Sequence, residues 1–271
     1  MLSPGMRLLV RKVYYFPYDL CLIISGKKNN MEPAKGDIYI GSGDFKKQGK
    51  HQLQLLKNLV DLDKDDTVLD IGSGIGRTAV ALTGYLNSDG IYEGFDVVEK
   101  GINWCNSKIK SKYPNFNFRY IPLNNDLYNK AEGKADIFKF PYDANIFDVV
   151  FLFSVFTHMR PGEVSNYLLE ICRVLKCGGK CLATFFIYNE KEEIYISKNN
   201  KFCFPYKEQG FRLMNKNVRC ANIAFEADNI FTTIENSGLE ISKIVNGYWK
   251  NQDNKNKNAD FQDIIIMTKN K

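Results

Sequence analysis

Two carboxylates, a glycine turn and one histidine are the residues of this chain whose types and spacing could do chemistry. In the run from Thr67 to Ala81, TVLDIGSGIGRTAVA, Asp70 precedes Gly72, Ser73, Gly74 and Gly76, and a second acid, Asp96, lies 24 positions after Gly72. A glycine turn between a strand and a helix has no Cβ atoms in the way and presents backbone N–H groups to whatever docks there. An acid closing the following strand can accept hydrogen bonds from both hydroxyls of a ribose. The pattern reads as a nucleoside site, but not as a dinucleotide site. G-x-G-x-x-G needs glycine where Arg77 stands, and the Asp70 carboxylate would repel a pyrophosphate. It suits a ligand carrying ammonium and sulfonium charge. The third element is His158, in the loop after the apolar run FDVVFLF (147–153). Its titration range suits a base that takes a proton from a hydroxyl. Each has a plainer reading as well: a structural turn, a strand-end cap, and a histidine that only packs.

The elements that must hold these residues follow from periodicity. From Thr67 onward strand-like and helix-like stretches alternate, the mark of a parallel sheet with crossover helices. Strands are expected at 67–71, 91–96, 117–122 and 147–153, and helices at about 77–87, 100–112 and 161–176. The glycines at 178 and 179 should end the third helix and turn the chain into a strand at 180–188. A helix over about 226–237 ends at Gly238, and LEISKIVNGYW and FQDIIIMT supply the last two strands around an exposed polar hairpin loop at 251–260. The 271 residues, 44% hydrophobic, suffice for a full core and fit one α/β domain with additions better than two.

Two segments stand outside the alternation, residues 1–50 and 189–225. Long irregular segments in a compact domain are uncommon unless they serve a function, so both are expected to act as lids at the carboxyl edge of the sheet. The aromatics Tyr188, Phe202, Phe204, Tyr206 and Phe211, with Trp249, either grip a ligand or form a satellite core. Lys207, Arg212 and Arg219 either bind an anionic group or face solvent.

Charge, cysteine usage and hydropathy narrow the class. Of the formal net charge of +6, residues 1–50 hold nine Lys/Arg against four acids, and the other 221 residues 28 against 27. A basic, aromatic N-terminal segment could approach an anionic lipid or a phosphorylated substrate, but a solvated face beside a docked helix is the favoured expectation, with peripheral membrane contact not favoured. No apolar run reaches the ~18 residues of a spanning helix, and Arg11, Lys12, Pro17 and Asp19 break the N-terminal stretch that a signal peptide would need. Seven scattered cysteines without CxxC pairs, and only two histidines, predict reduced thiols, a cytoplasmic location and no metal.

With the block ADIFKFPYDANIFDVVFLFSVFTHM at 135–159 and RVLKCGGKCLATFF downstream, D-x-G-x-G at 70–74 and the acid at 96 complete a set of four motifs in order. Together they resemble the class I S-adenosylmethionine-dependent methyltransferases, in the small-molecule group, over about 45–188 and more weakly to the last strand. The resemblance implies a Rossmann-like, seven-stranded, mostly parallel sheet with an antiparallel last strand and helices on both faces. It implies S-adenosylmethionine as cofactor. Asp70, Gly72, Ser73 and Gly74 would hold its methionine part, Asp96 its ribose, Val97 the adenine face and Asp136 and Ile137 the adenine edge, while Phe153 and Ser154 would face the sulfonium. A segment ahead of the first strand (41–52) would close over the cofactor, through Phe45, Lys46 or His51. Arg77 would pin that segment or be solvated. Residues 51–271 would be the methyltransferase domain, with a lid insertion at about 189–225 and an N-terminal lid or substrate segment at 1–50. The expected reaction is methyl transfer to a small-molecule acceptor, with His158 as base. An oxygen acceptor is favoured, in a sugar or glycan-pathway metabolite; the alternatives are N-methylation, protein methylation or a non-catalytic cofactor-binding module. Nucleic acid is disfavoured, because FSVF (153–156) stands where exocyclic-amine enzymes carry an Asn/Asp-Pro-Pro-aromatic turn and the charge excess is terminal.

Overall fold

A computed structural model describes residues 4–26, 31–39, 43–126, 131–198, 202–250 and 260–270. Along the chain its strands are β1 (Thr67–Ile71), β2 (Ile91–Asp96), β3 (Phe116–Tyr120), β4 (Phe147–Leu152), β5 (Leu175–Phe185), β6 (Ile187–Tyr188), β7 (Tyr206–Glu208), β8 (Phe211–Leu213), β9 (Ile223–Glu226), β10 (Leu239–Val245) and β11 (Asp263–Lys269). The main sheet runs β10-β11-β5-β4-β1-β2-β3. β11 is antiparallel to both of its neighbours, and every other pairing in that sheet is parallel.

The helices are α1 (Pro4–Ile24), α2 (Phe45–Leu59), α3 (Arg77–Leu82), α4 (Glu99–Cys105), α5 (Pro161–Val174), α6 (Glu190–Lys198) and α7 (Ala227–Asn236). Strand alternation sends side chains to two cores. Leu69 and Ile71 of β1, with Val150 and Leu152 of β4, pack under Val164, Leu168 and Ile171 of α5 and Ile230 and Ile234 of α7. Val68, Val149 and Phe151 face the other way, toward Leu56 of α2, Leu82 of α3 and Ile102 of α4. Burial on both faces is why β1 and β4 read as continuous apolar runs.

The structure departs from the sequence expectations in four places. The helix predicted over 77–87 stops at Leu82. α5 ends at Val174, and the glycines fall inside β5. There Leu175 pairs with Phe147 but Lys180 pairs with Val149, so the excess residues bulge out, with Gly178 at φ +79°. The segment 189–225 is not a bare loop: α6 and β7–β9 fold in it, and a second sheet runs β6-β9-β8-β7. The boundary expected at residue 50 falls inside α2, whose N-terminus is capped by Asp44 accepting from the Lys47 amide at 2.8 Å. α2 packs so closely on α3 that a Cβ on Gly49 would stand 2.6 Å from the Arg77 carbonyl oxygen. The predicted hairpin loop at 251–260 lies, except for Asp260, outside the described residues.

Candidate active site

The carboxyl ends of β1, β2 and β4 converge on a cavity of about 300 Å³, the place where open parallel sheets hold ligands. Asp70, Gly72, Ser73 and Gly74 line it from the β1 turn, Asp96 and Val97 from β2, and Phe153, Ser154, His158 and Met159 from the loop after β4.

The turn is built differently from the amide cradle expected of it. The Gly72 and Ser73 amides both donate to the Phe95 carbonyl, at 2.9 and 3.1 Å, and the Gly76 amide donates to the Ser73 carbonyl at 2.9 Å. The Gly74 amide donates to Asp96 Oδ2 at 2.8 Å. These N–H groups knit β1 to β2 and are not offered to an anion. Glycine is required at 72 by φ +78° and by the approach of Val155, whose Cγ2 would lie 2.4 Å from an added Cβ.

Two buried carboxylates therefore dominate the electrostatics. Asp70 accepts from the Tyr92 hydroxyl at 2.7 Å. Burial pushes its pKa up to about 7, with the neighbouring Asp96 adding to the rise. Burial likewise raises Asp96 to about 6, against the opposing bonds from the Gly74 and Val98 amides. A cation between them would relieve both. The Ser73 hydroxyl is buried in the same wall with no hydrogen-bond partner among the described residues. A ligand with ammonium, sulfonium and sugar hydroxyls fits this donor and acceptor set; a pyrophosphate does not.

At the β4 end, Nδ1 of His158 donates to the Cys220 carbonyl at 2.9 Å. A carbonyl only accepts, so the neutral ring carries its lone pair on Nε2. Burial holds the imidazole below the ordinary histidine range, against the backbone contacts from Cys220 and Ala221. The 219–220 turn is itself held by the Asp126 carboxylate, which accepts the Arg219 and Cys220 amides at 2.9 and 3.1 Å. Ser154 adopts φ +60°, its amide donating to Thr184 Oγ1 and its hydroxyl to Gln262 Oε1, at 2.7 and 2.8 Å.

Other expected contacts lie elsewhere. Asp136 and Ile137 sit in a short 3₁₀ turn with exposed side chains, Ile137 75% so, and only Ala135 of that turn reaches the cavity. Leu123, Asn124 and Asn125 line the wall instead. Phe45 is buried with Ile38 and Ile75; Lys46 pairs with Glu32 and His51 with Asp260. From this N-terminal side it is Tyr39 and Gln52 that reach the cavity, with Gln52 accepting from Thr78 Oγ1 at 2.8 Å. Arg77 is half-buried in the wall, its guanidinium 5.9 Å from the Phe45 ring, so it packs on α2 instead of standing in solvent. Glu163, which accepts the Arg160 amide at 2.6 Å in the first turn of α5, and Gln262 also face the cavity and carried no motif signal.

Of the expected aromatics, Tyr188, Phe204 and Trp249 form a satellite core with Phe202 against them, whereas Phe211 packs on the main core and Tyr206 is exposed. None of these lines the cavity. Asp263 anchors that core, accepting from Trp249 Nε1 at 2.7 Å and from the Ile187 and Gly247 amides, both at 2.8 Å. Arg212 is buried against Glu193 and the carbonyls of Phe204 and Pro205; Lys207 pairs with Glu193 and Arg219 with Glu208. These cations hold the insertion together.

Residues 69–183, from β1 into β5, match the family described as a methyltransferase domain. This chain carries a methyltransferase domain. The methyltransferase domain is similar to the ubiquinone/menaquinone biosynthesis C-methyltransferase UbiE of Wigglesworthia glossinidia brevipalpis, with 28% identity over 175 residues covering 62% of this chain and 64% of the relative. The match thus spans just under two thirds of that relative's length. In fold it resembles a Pyrococcus horikoshii protein (TM-score 0.57, 16% identity, 84% of this chain and 92% of the other). It also resembles a Streptomyces coelicolor geranyl diphosphate C-methyltransferase solved with geranyl diphosphate and S-adenosyl-L-homocysteine (TM-score 0.53, 15% identity, 81% and 80%). Among the described residues, no helix is long and apolar enough to cross a membrane.

Proposed function

We propose that this chain transfers a methyl group from S-adenosylmethionine to a small-molecule acceptor bound beside His158, Met159 and Glu163. The observation that carries the reading is the pair of buried carboxylates at one cavity, with the turn's amides already satisfied. In this reading Asp70, Gly72, Ser73 and Gly74 hold the methionine part, the Ser73 hydroxyl gaining the partner it lacks. Asp96 accepts from the ribose hydroxyls, and Val97 packs on the adenine. Leu123, Asn124 and Ala135 complete the adenine wall in place of Asp136 and Ile137, and Phe153 and Ser154 border the sulfonium. When bound, the cofactor supplies a methyl group that is already electrophilic. What remains for the chain is to align the acceptor, keep water out and remove a proton. Phe153 and Met159 supply apolar wall, and Nε2 of His158 takes the acceptor's proton.

The domain reading follows the packing. Residues 31–52, through Tyr39 and Gln52, close the cofactor end. The insertion at 189–225 acts on the cavity through Cys220 and not as a lid over it.

An oxygen acceptor remains the first reading, because a half-buried neutral imidazole suits a hydroxyl proton. Nothing in the cavity singles out a sugar. A second reading, a carbon acceptor made nucleophilic by loss of an acidic C–H proton, is favoured by the relative named as a C-methyltransferase; His158 serves it in the same way. Isothermal titration tests the cofactor half: S-adenosylhomocysteine should bind at about micromolar Kd or better, and NAD should not. No heat with the former ends the proposal. Transfer of a ¹³C-labelled methyl group to candidate acceptors tests the rest. A methoxy signal supports the oxygen reading and a methyl on carbon the second, while binding without transfer to any acceptor would leave a cofactor-binding module.

A further inference from the structure

Helix α1 turns its apolar side outward. At about 100° per residue, Leu9, Val10, Val13, Phe16, Leu20 and Ile24 share one side, and all six are exposed, from 42% at Leu20 to 78% at Ile24. The opposite side is tied to the protein by polar atoms. Arg11 Nε donates to the Lys35 carbonyl at 3.0 Å. Asp19 accepts the Lys35 and Gly36 amides, both at 2.9 Å. Lys12 lies 3.4 Å from Asp37. The fit is close, since a Cβ on Gly36 would stand 3.0 Å from the Lys12 Cα. The rest of the protein therefore holds α1 by its polar side, and the apolar side is what it presents. A continuous apolar stripe of this length is far more than the scattered exposed hydrophobics of ordinary surfaces, and marks an interaction face.

Charge selects the occupant. The first fifty residues carry nearly all of the chain's positive excess, nine Lys/Arg against four acids. On the same wheel Lys12, its side chain 49% exposed, adjoins Phe16, and Tyr14, 75% exposed, adjoins Val10, so a cation and a tyrosine border the stripe. Apolar side chains flanked by tyrosine and by Lys/Arg are what a helix needs to lie in a headgroup layer. Pairing with a second copy would bring two cationic borders face to face, whereas anionic lipid neutralises them.

We propose that α1 is an interfacial anchor whose apolar side enters the headgroup–acyl boundary of an anionic bilayer, with Lys12 and Tyr14 at its borders. The proposal is independent of the methyl-transfer reading. Flotation of the full chain with phosphatidylcholine vesicles, with and without phosphatidylglycerol, tests it. Binding is expected to the phosphatidylglycerol vesicles and to weaken with added salt. The double substitution Val13→Glu with Phe16→Glu should lower it about tenfold or more, leaving the circular dichroism spectrum and melting temperature unchanged, since both side chains are exposed. Absence of binding by the native chain overturns the proposal, as does equal binding by the variant. So does a concentration-dependent dimer in sedimentation that the variant abolishes, which would assign the stripe to a second copy.

Discussion

At the β1–β2 end of the cavity, Asp70 and Asp96 are held by partners no more than 22 positions away, Tyr92, Gly74 and Val98. At the β4 end, His158 depends on Cys220, 62 positions along, and Cys220 in turn on Asp126, 94 positions back. One end is thus a local product of a strand, a turn and the next strand. The other exists only once the insertion has folded against the sheet. The first should be intolerant of change in its own residues, the second also sensitive to distant ones.

The sharpest way to break this contrast is Asp96→Ala. It removes an acceptor for the ribose and strips two buried amides, Gly74 and Val98, of their partner. The expected loss is on the order of 3 kcal/mol in S-adenosylhomocysteine affinity, read by titration; unchanged affinity would remove Asp96 from the site. His158→Ala should do the opposite, leaving that affinity within about twofold and lowering turnover about a hundredfold. In the native enzyme the rate should rise with pH through a midpoint below the ordinary histidine value, because burial disfavours the imidazolium. A midpoint above that value would take His158 out of the proton transfer.

The same contrast explains what could be read before the fold was known. The succession of strands and helices follows from alternation, because each buried strand announces itself as an apolar run and each helix by its period. The turn and Asp96 are legible because their spacing is set by one strand–helix–strand unit. Tyr39, Gln52, Glu163 and Gln262 were not, because a polar side chain on a surface helix and one at a cavity look alike in sequence. Asp136 and Ile137 stand off the cavity lining for a related reason. A motif places the turn at the cavity, but the backbone direction of the 3₁₀ turn sends only Ala135 inward. The aromatics of 189–225 carried a double meaning that packing resolved, since Asp263 supplies the buried acceptor that a Trp249-centred core needs.

Asp70 ties binding to stability. Burial raises its pKa to about 7 in the folded, ligand-free chain, while an aspartate in the unfolded chain titrates near ~4. The folded state therefore keeps a proton that the unfolded state releases. This contribution to stability is complete below about pH 4 and is lost as pH rises toward about 7. Asp70→Asn removes the penalty and should raise ligand-free stability above pH 7 by on the order of 2 kcal/mol, measured by urea melts at pH 5 and pH 8. It should also weaken S-adenosylhomocysteine binding, because the ammonium loses its counter-charge. Gain of stability without loss of binding would place the cation elsewhere.

The smallest expected effect tests the long-range half of the comparison most directly. Asp126 reaches His158 through the 219–220 turn, whose two amides its carboxylate accepts. Asn at this position keeps one acceptor and sets an NH₂ group against the other amide, so the turn shifts but need not unfold. Turnover should fall about threefold to tenfold, with S-adenosylhomocysteine affinity unchanged. Because the effect runs through the imidazole, Asp126→Asn should cost nothing further in a His158→Ala background, and a double-mutant cycle measures that coupling. An equal, additive loss in both backgrounds would mean that Asp126 acts on the acceptor side independently of His158, and that the insertion meets the chemistry by another route.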